Sequence, residues 1–171
     1  MKKFFFGYTG FLVACTIILL TACNSAGTTA DKKTGDSSAG FDLAAVKQAI
    51  ATGNDSFASA MIRHDSAAIV NHFTTDGKIW APNMKPVEGR DAVAAFTSQV
   101  IKWGVGAFRD STIAVYGNRD NVVEEGKYFI GDGKGNTMDM GKYVCVWHNE
   151  NGTWKIYLDI WNSDNPAVPV K

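Results

Sequence analysis

Cysteine, proline and histidine are all scarce in this chain: its 171 residues hold 3 Cys, 4 Pro and 3 His. Three cysteines are too few, and too oddly numbered, for a disulfide framework. Neither sign of charge is in excess, with 17 Lys+Arg against 17 Asp+Glu. Without a basic run the chain lacks a nucleic-acid grip, which needs clustered Lys and Arg to displace counterions. No HxxxH, HxH or Cys/His pair offers metal-ligand spacing, so no metal is expected. The glycine-rich run Gly131-Asp132-Gly133-Lys134-Gly135 looks suited to phosphate. It leads into a strand and not a helix N-terminus, so it reads as a hairpin loop, and no cofactor is expected. What is present is an ordinary globular composition, 46% apolar and 12% aromatic, long enough for one domain with a real core.

The one long apolar run lies at the N-terminus. Lys2 and Lys3 precede an uncharged stretch from Phe4 to Leu20, the layout of a secretory signal peptide and the short edge of a bilayer span. It ends Leu20-Thr21-Ala22-Cys23, which resembles the lipobox of bacterial lipoproteins, where a peptidase cuts before a Cys that carries lipid. A second match, Leu12-Val13-Ala14-Cys15, would strand Ile17 to Leu20 on the mature side, so Cys23 is the expected lipidation site. Residues 1–22 are then the signal. Residues 23–40, which hold no large apolar side chain, are a flexible tether. Residues 41–166 form the folded domain and 167–171 a tail. The resemblance implies export and a lipid anchor in the bacterial cell envelope, in the outer membrane if the host is diderm. Processing would remove Lys2, Lys3 and Cys15, leaving a mildly acidic chain with Cys145 as its one free thiol.

From Phe41 the apolar period is helical: Leu43, Val46, Ile50, Phe57 and Met61 return to one face, with Gly53 as a weak point. Asp65 predicts the N-cap of a short second helix carrying Ile69 and Phe73 inward. Asp76-Gly77 predicts a turn before a short strand from Lys78 to Trp80, and a loop bracketed by Pro82 and Pro86 follows. A third helix opens at Gly89-Arg90-Asp91. After Gly106 the pattern turns to strands, Phe108 to Tyr116, Val122 to Ile130, Thr137 to His148 and Thr153 to Trp161, separated by short turn sequences. Helices followed by an antiparallel meander make an α+β order.

Two segments carry a family likeness. One is Gly89-Arg90-Asp91-Ala92-Val93-Ala94-Ala95-Phe96 after a Pro-containing loop. The other is Tyr143-Val144-Cys145-Val146-Trp147, with Asn151-Gly152-Thr153-Trp154-Lys155-Ile156 running on to Asp159-Ile160-Trp161-Asn162-Ser163. Together they resemble the nuclear-transport-factor-2-like superfamily, the fold of ketosteroid isomerase, scytalone dehydratase and SnoaL-like cyclases. The resemblance implies a cystatin-like α+β roll, with a cone-shaped, strongly curved antiparallel sheet packed against three N-terminal helices. It also implies a small-molecule pocket, with an apolar or aromatic ligand, and a homodimer formed through the outer sheet face.

Alternation places Tyr143, Cys145 and Trp147 on one face of their strand, and Tyr157, Asp159 and Trp161 together on the next. A carboxylate among aromatic rings loses solvation, which raises its pKa and suits a general base. Asp159 is therefore the candidate catalytic residue. The same carboxylate bonded to a Tyr or Arg for structure alone is the competing reading. Trp161, Tyr143, Cys145 and Tyr128, with Trp80 and Asn83 from the Pro loop, are the candidate pocket residues. Met138 and Met140 share a face and are expected in the pocket wall or the core. Of Glu124 and Glu125, one reaches the cavity. No Tyr–Asp pair matches the ketosteroid isomerase set residue by residue, so binding without turnover is the first expectation, isomerase, dehydratase or cyclase chemistry with Asp159 as base the second, and an assembly module the third.

Overall fold

A computed structural model describes residues 40–166; the expected signal at 1–22, Cys23, the expected tether up to residue 39 and the expected tail at 167–171 lie outside the described residues. Helix α1 runs from Leu43 to Ile62. Asp42 caps it, its carboxylate accepting from the Ala44 and Ala45 amides at 2.9 and 3.2 Å, and so satisfying donors the first turn leaves open. Gly53 does not interrupt it; a Cβ there would lie 3.6 Å from the Trp147 ring, in ordinary van der Waals contact. Helix α2, Ser66–Asn71, is capped by Asp65, which accepts from the Ala68 amide at 3.0 Å. Strands β1 (Phe73–Trp80) and β2 (Val87–Glu88) follow. Helix α3 then spans Arg90–Val100 and closes in a 3₁₀ turn, Ile101–Trp103, which Gly104 ends at φ 77°.

Two expectations need correction here. Phe73 opens β1 and does not sit on α2, and Asp76-Gly77 lies inside β1 and not before it. The Thr74 hydroxyl donates to Asp76 Oδ1 at 2.8 Å, and the register slips between Phe73 and Lys78. A bulge thus uses the turn-forming residues within the strand.

The meander is β3 (Ala107–Gly117), β4 (Asn121–Gly131), β5 (Thr137–Glu150) and β6 (Thr153–Ser163). The sheet order is β2-β1-β6-β5-β4-β3, six strands and not closed. The meander is antiparallel throughout, while β1 joins β6 in parallel; the sheet is therefore mixed. The expected α+β architecture is what forms, with the helices packed on one sheet face. Ile50, Val93, Val105, Val122 and Trp147 are fully buried between the two layers.

Candidate functional site

Cross-strand register decides which side chains meet on the helix-facing side of the sheet, because directly paired residues share a face. One inner row runs Val115, Glu124, Cys145, Asp159 and Ile79 across β3, β4, β5, β6 and β1. The next runs Thr112, Gly126, Tyr143 and Trp161, and a third Asp110, Tyr128, Gly141 and Ser163. Two glycines open this face. A Cβ on Gly126 would lie 2.6 Å from the Tyr143 ring, and one on Gly141 would lie 2.9 Å from the Tyr128 ring and 2.1 Å from the Asn162 carbonyl oxygen. Each tyrosine therefore lies flat across the neighbouring strand where a side chain would otherwise stand.

Leaning over Gly126 carries the Tyr143 hydroxyl to Glu124. Glu124 has no exposed surface, and four side chains donate to it. Asn54 Nδ2 of α1, Thr112 Oγ1 and Tyr143 Oη meet Oε1 at 2.7, 2.6 and 2.8 Å, while Trp147 Nε1 meets Oε2 at 3.0 Å. A buried carboxylate persists only with such partners. Its donors come from a helix and two other strands, so Glu124 also ties the layers together.

Asp110 and Asp159 are held quite differently. Among the described residues no hydrogen bond reaches the Asp110 carboxyl, and Asp159 Oδ1 accepts only the Cys145 thiol at 3.5 Å. Both residues are half-buried. Loss of water, reinforced by the charges of Asp159 and Glu124, pushes the Asp110 carboxyl up to about 8. Burial likewise lifts Asp159 to about 7, against the lowering effect of the Cys145 thiol, with the Glu124 charge adding to the rise. Burial and the same carboxylates push the Cys145 thiol well above its usual range. Burial and Glu124 raise the Tyr143 phenol as well. Near neutral pH, then, the face carries two carboxyls poised between acid and base, beside Glu124, which already accepts four hydrogen bonds. Such an arrangement can accept a proton from one point of a bound molecule and return it to another.

A second cluster lies along the third inner row. Asp139 accepts from Tyr128 Oη at 2.8 Å, from the Ser163 hydroxyl, and from Asn165 Nδ2 at 3.0 Å. This pins the end of β6 to the start of β5. Aromatic rings complete the inner surface: Phe57 meets Phe108 edge-on at 5.6 Å, and Phe96 stands 6.3 Å from Trp161.

The structure brings Asp159, Cys145, Tyr143, Trp161 and Tyr128 onto one face. It does not bring Trp80 or Asn83 there. Trp80 pairs with Ile160 on the outer side and is exposed; Asn83 is exposed in a left-handed turn, φ 57°. Tyr157 is also on the outer side, stacked on His148 at 4.1 Å with Lys78 above it. The reason is a register shift: Val146 pairs with Leu158 but Trp147 pairs with Ile156, so Tyr157 has no partner and the alternation breaks. The same slip turns Ile156 inward. Met138 and Met140 are exposed, not in wall or core. Residues the sequence reading missed are Asp110, Asn54, Thr112 and the Trp147 donor. His72 packs edge-on against Phe57 at 5.5 Å, its pKa lowered by burial and by Lys155, and His64 Nε2 lies 2.9 Å from the Val105 carbonyl oxygen. Among the described residues no three His, Cys, Asp or Glu are placed to hold a metal ion. Two open clefts lie elsewhere. One, of about 850 Å³, is bounded by Met84, Val87, Ala92, Phe96 and Gln99, and the other, of about 600 Å³, by Phe41, Arg119, His148 and Trp154; neither includes the three acids.

Residues 55–157 match the family of SnoaL-like domains. No curated protein matches the sequence. A Mycobacterium tuberculosis protein of unknown function has a similar structure at TM-score 0.63 and 15% identity, covering 72% of this chain and 75% of that one. A ketosteroid isomerase-like protein from Erwinia carotovora atroseptica is similar at TM-score 0.59 and 17% identity, covering 70% and 96%. A nuclear-transport-factor-2-like protein with a cystatin-like fold from Novosphingobium aromaticivorans reaches 0.63 at 13% identity, covering 73% and 86%. At these identities the likeness is one of fold.

Proposed function

Because the chain belongs to the SnoaL-like domain family, we propose that its inner sheet face is a small-molecule site that moves a proton, with Asp159 as general base and Asp110 as its acidic partner. The fold class alone hosts many unrelated functions, so the reading rests on the site. One observation carries it: among the described residues neither Asp110 nor Asp159 accepts a hydrogen bond from an N–H or O–H donor, while Glu124 on the same sheet face takes four. A carboxyl kept for structure would be bonded as Glu124 is. The reaction class is isomerisation, dehydration or cyclisation of an apolar or aromatic substrate, each of which begins with removal of a proton.

The test needs no knowledge of the natural substrate. Ring opening of 5-nitrobenzisoxazole begins when a base removes one C–H proton, and it reports any carboxylate base in an apolar site. The protein accelerates it over acetate of equal concentration, with a rate that rises through about pH 7 as Asp159 ionises. Asp159→Asn lowers the rate on the order of a hundredfold. An Asn variant as fast as the wild type would end this reading.

Binding without turnover is the second reading, supported by the ring wall of Phe57, Phe96, Phe108 and Trp161. It expects apolar aromatic molecules to raise the melting temperature equally in wild type and Asp159→Asn, with no proton transfer in either. The lipobox-like Leu20-Thr21-Ala22-Cys23 supports a further part of the proposal, an exported domain tethered to the envelope by lipid on Cys23; Cys23→Ser would then release it from membranes. Trp80, Ile160 and Val144 form an exposed outer row across three strands, which supports a homodimer through that face. Light scattering would show a monomer for Ile160→Lys and a dimer for the wild type.

A further inference from the structure

Four side-chain donors around Glu124 point at it, while the thiol of its strand partner Cys145 points at Asp159. Tyr143 Oη and Thr112 Oγ1 each hold a single hydrogen, and both donate it to Oε1 at 2.8 and 2.6 Å. Their oxygens are left with lone pairs only. Asn54 and Trp147 direct a hydrogen to the same carboxylate. Tyr143 is therefore unable to donate to a ligand while Glu124 is charged and in place, although the sequence places it among the pocket residues.

We propose that Glu124 is a positioning residue for the proton-transfer site: by binding the hydroxyl hydrogens of Tyr143 and Thr112 it makes both acceptors, and its charge reserves the acid's part for Asp110. The inference rests on the proton-transfer reading of this face and deepens it by saying which group donates and what sets its pH range. Glu124 touches no ligand position itself; it lies behind Tyr143 with no exposed surface. Around Asp110 and Asp159 the titratable groups are Glu124 and Tyr128 on β4, and Tyr143 and Cys145 on β5. From α1 the side chain bonded into this cluster is the uncharged Asn54, and from β1 the paired residue is the apolar Ile79. The charges acting on Asp110 are those of Asp159 and Glu124, both negative.

The physical consequence is a direction. Removing the Glu124 charge lowers the titration midpoints of both Asp110 and Asp159, because a negative neighbour disfavours ionisation. Glu124→Gln keeps shape and several hydrogen bonds, while its new amide group donates to the Tyr143 oxygen and frees that hydroxyl to turn away from position 124. Carboxyl carbon resonances of the 13C-aspartate-labelled protein read the midpoints without any substrate. The expected result is a fall of both midpoints on the order of one pH unit in Glu124→Gln, no fall in Asn54→Ala, and return toward the wild-type midpoints in Glu124→Asp, which restores the charge. Midpoints that stay in place in Glu124→Gln, with only stability altered, overturn the proposal.

A second measurement uses the unaltered protein and does not depend on the variants folding. The Tyr143 hydroxyl proton, shared with Glu124, exchanges slowly with solvent and shows a cross-peak to the Glu124 side chain. A hydroxyl that exchanges at the solvent rate overturns the proposal. The two readings fail separately: midpoints that fall in Glu124→Gln with no nitrobenzisoxazole activity anywhere leave Glu124 in its role and remove the catalytic reading.

Discussion

Asp110→Asn should stabilise this protein at alkaline pH and leave it unchanged in acid, which is the reverse of what loss of a surface charge does. An Asp has an ordinary value near 3.8, and in the fold Asp110 stands at about 8. Its proton is held more tightly folded than unfolded. The native state is thus penalised for ionising it, by nothing below about pH 4, by a growing amount between 4 and 8, and by a constant amount above. At about 1.36 kcal/mol per pH unit the span gives on the order of 5 kcal/mol. Asp110 keeps part of its surface open, so water and local relaxation soften the charged form, and about 2–3 kcal/mol is the expected gain at pH 9. Asn retains the shape and removes the titration. Urea unfolding followed by tryptophan fluorescence at pH 4 and pH 9, wild type against Asp110→Asn, measures it directly. A variant less stable than wild type at pH 9, or one whose effect is the same at both pH values, would refute the reasoning, since either outcome means that Asp110 ionises at no cost.

Three further outcomes follow from the same geometry. Gly126→Ala puts a methyl 2.6 Å from the Tyr143 ring; displacing that ring costs about 1–3 kcal/mol and should change the near-ultraviolet circular dichroism. Trp147→Phe leaves Glu124 Oε2 without its donor, and loss of a hydrogen bond to a buried charge lowers unfolding stability by about 1.5–3 kcal/mol. Asp139→Ala releases Tyr128, Ser163 and Asn165 together, so amide hydrogen exchange should rise in residues 163–165 while that of α1 is unaffected.

Element order was readable because it rests on periodicity, and apolar burial enforces periodicity. Asp42 and Asp65 cap the helices they precede, and each meander strand begins and ends within two residues of its β-former run. Bulges were not readable. An extra residue such as Tyr157 leaves composition and pattern intact yet reverses the faces on either side of it, so Tyr157 was grouped with Asp159 when it stacks on His148 instead. Asp76-Gly77 misled for a related reason: turn-forming residues serve a bulge as readily as a loop. Asp110 is not legible because Arg109-Asp110-Ser111-Thr112 reads as a polar edge strand, and its placement near Asp159 and Glu124 depends on sheet shape across four strands, β3 to β6. Glu124 was half visible, since one of two adjacent carboxylates in a strand must face inward, but its four donors lie 70, 12, 19 and 23 residues away. No local pattern reports contacts at such separations.

The measurement closest to the centre of this account is the pH titration of the Asp110 and Asp159 carboxyl carbons in the unaltered protein. The account predicts midpoints near 8 and 7, with Asp110 responding to the charge of Asp159 and both responding to that of Glu124. Midpoints near the ordinary aspartate value of 3.8 would contradict it, because two carboxyls fully ionised at neutral pH leave the inner face with a base and no acid.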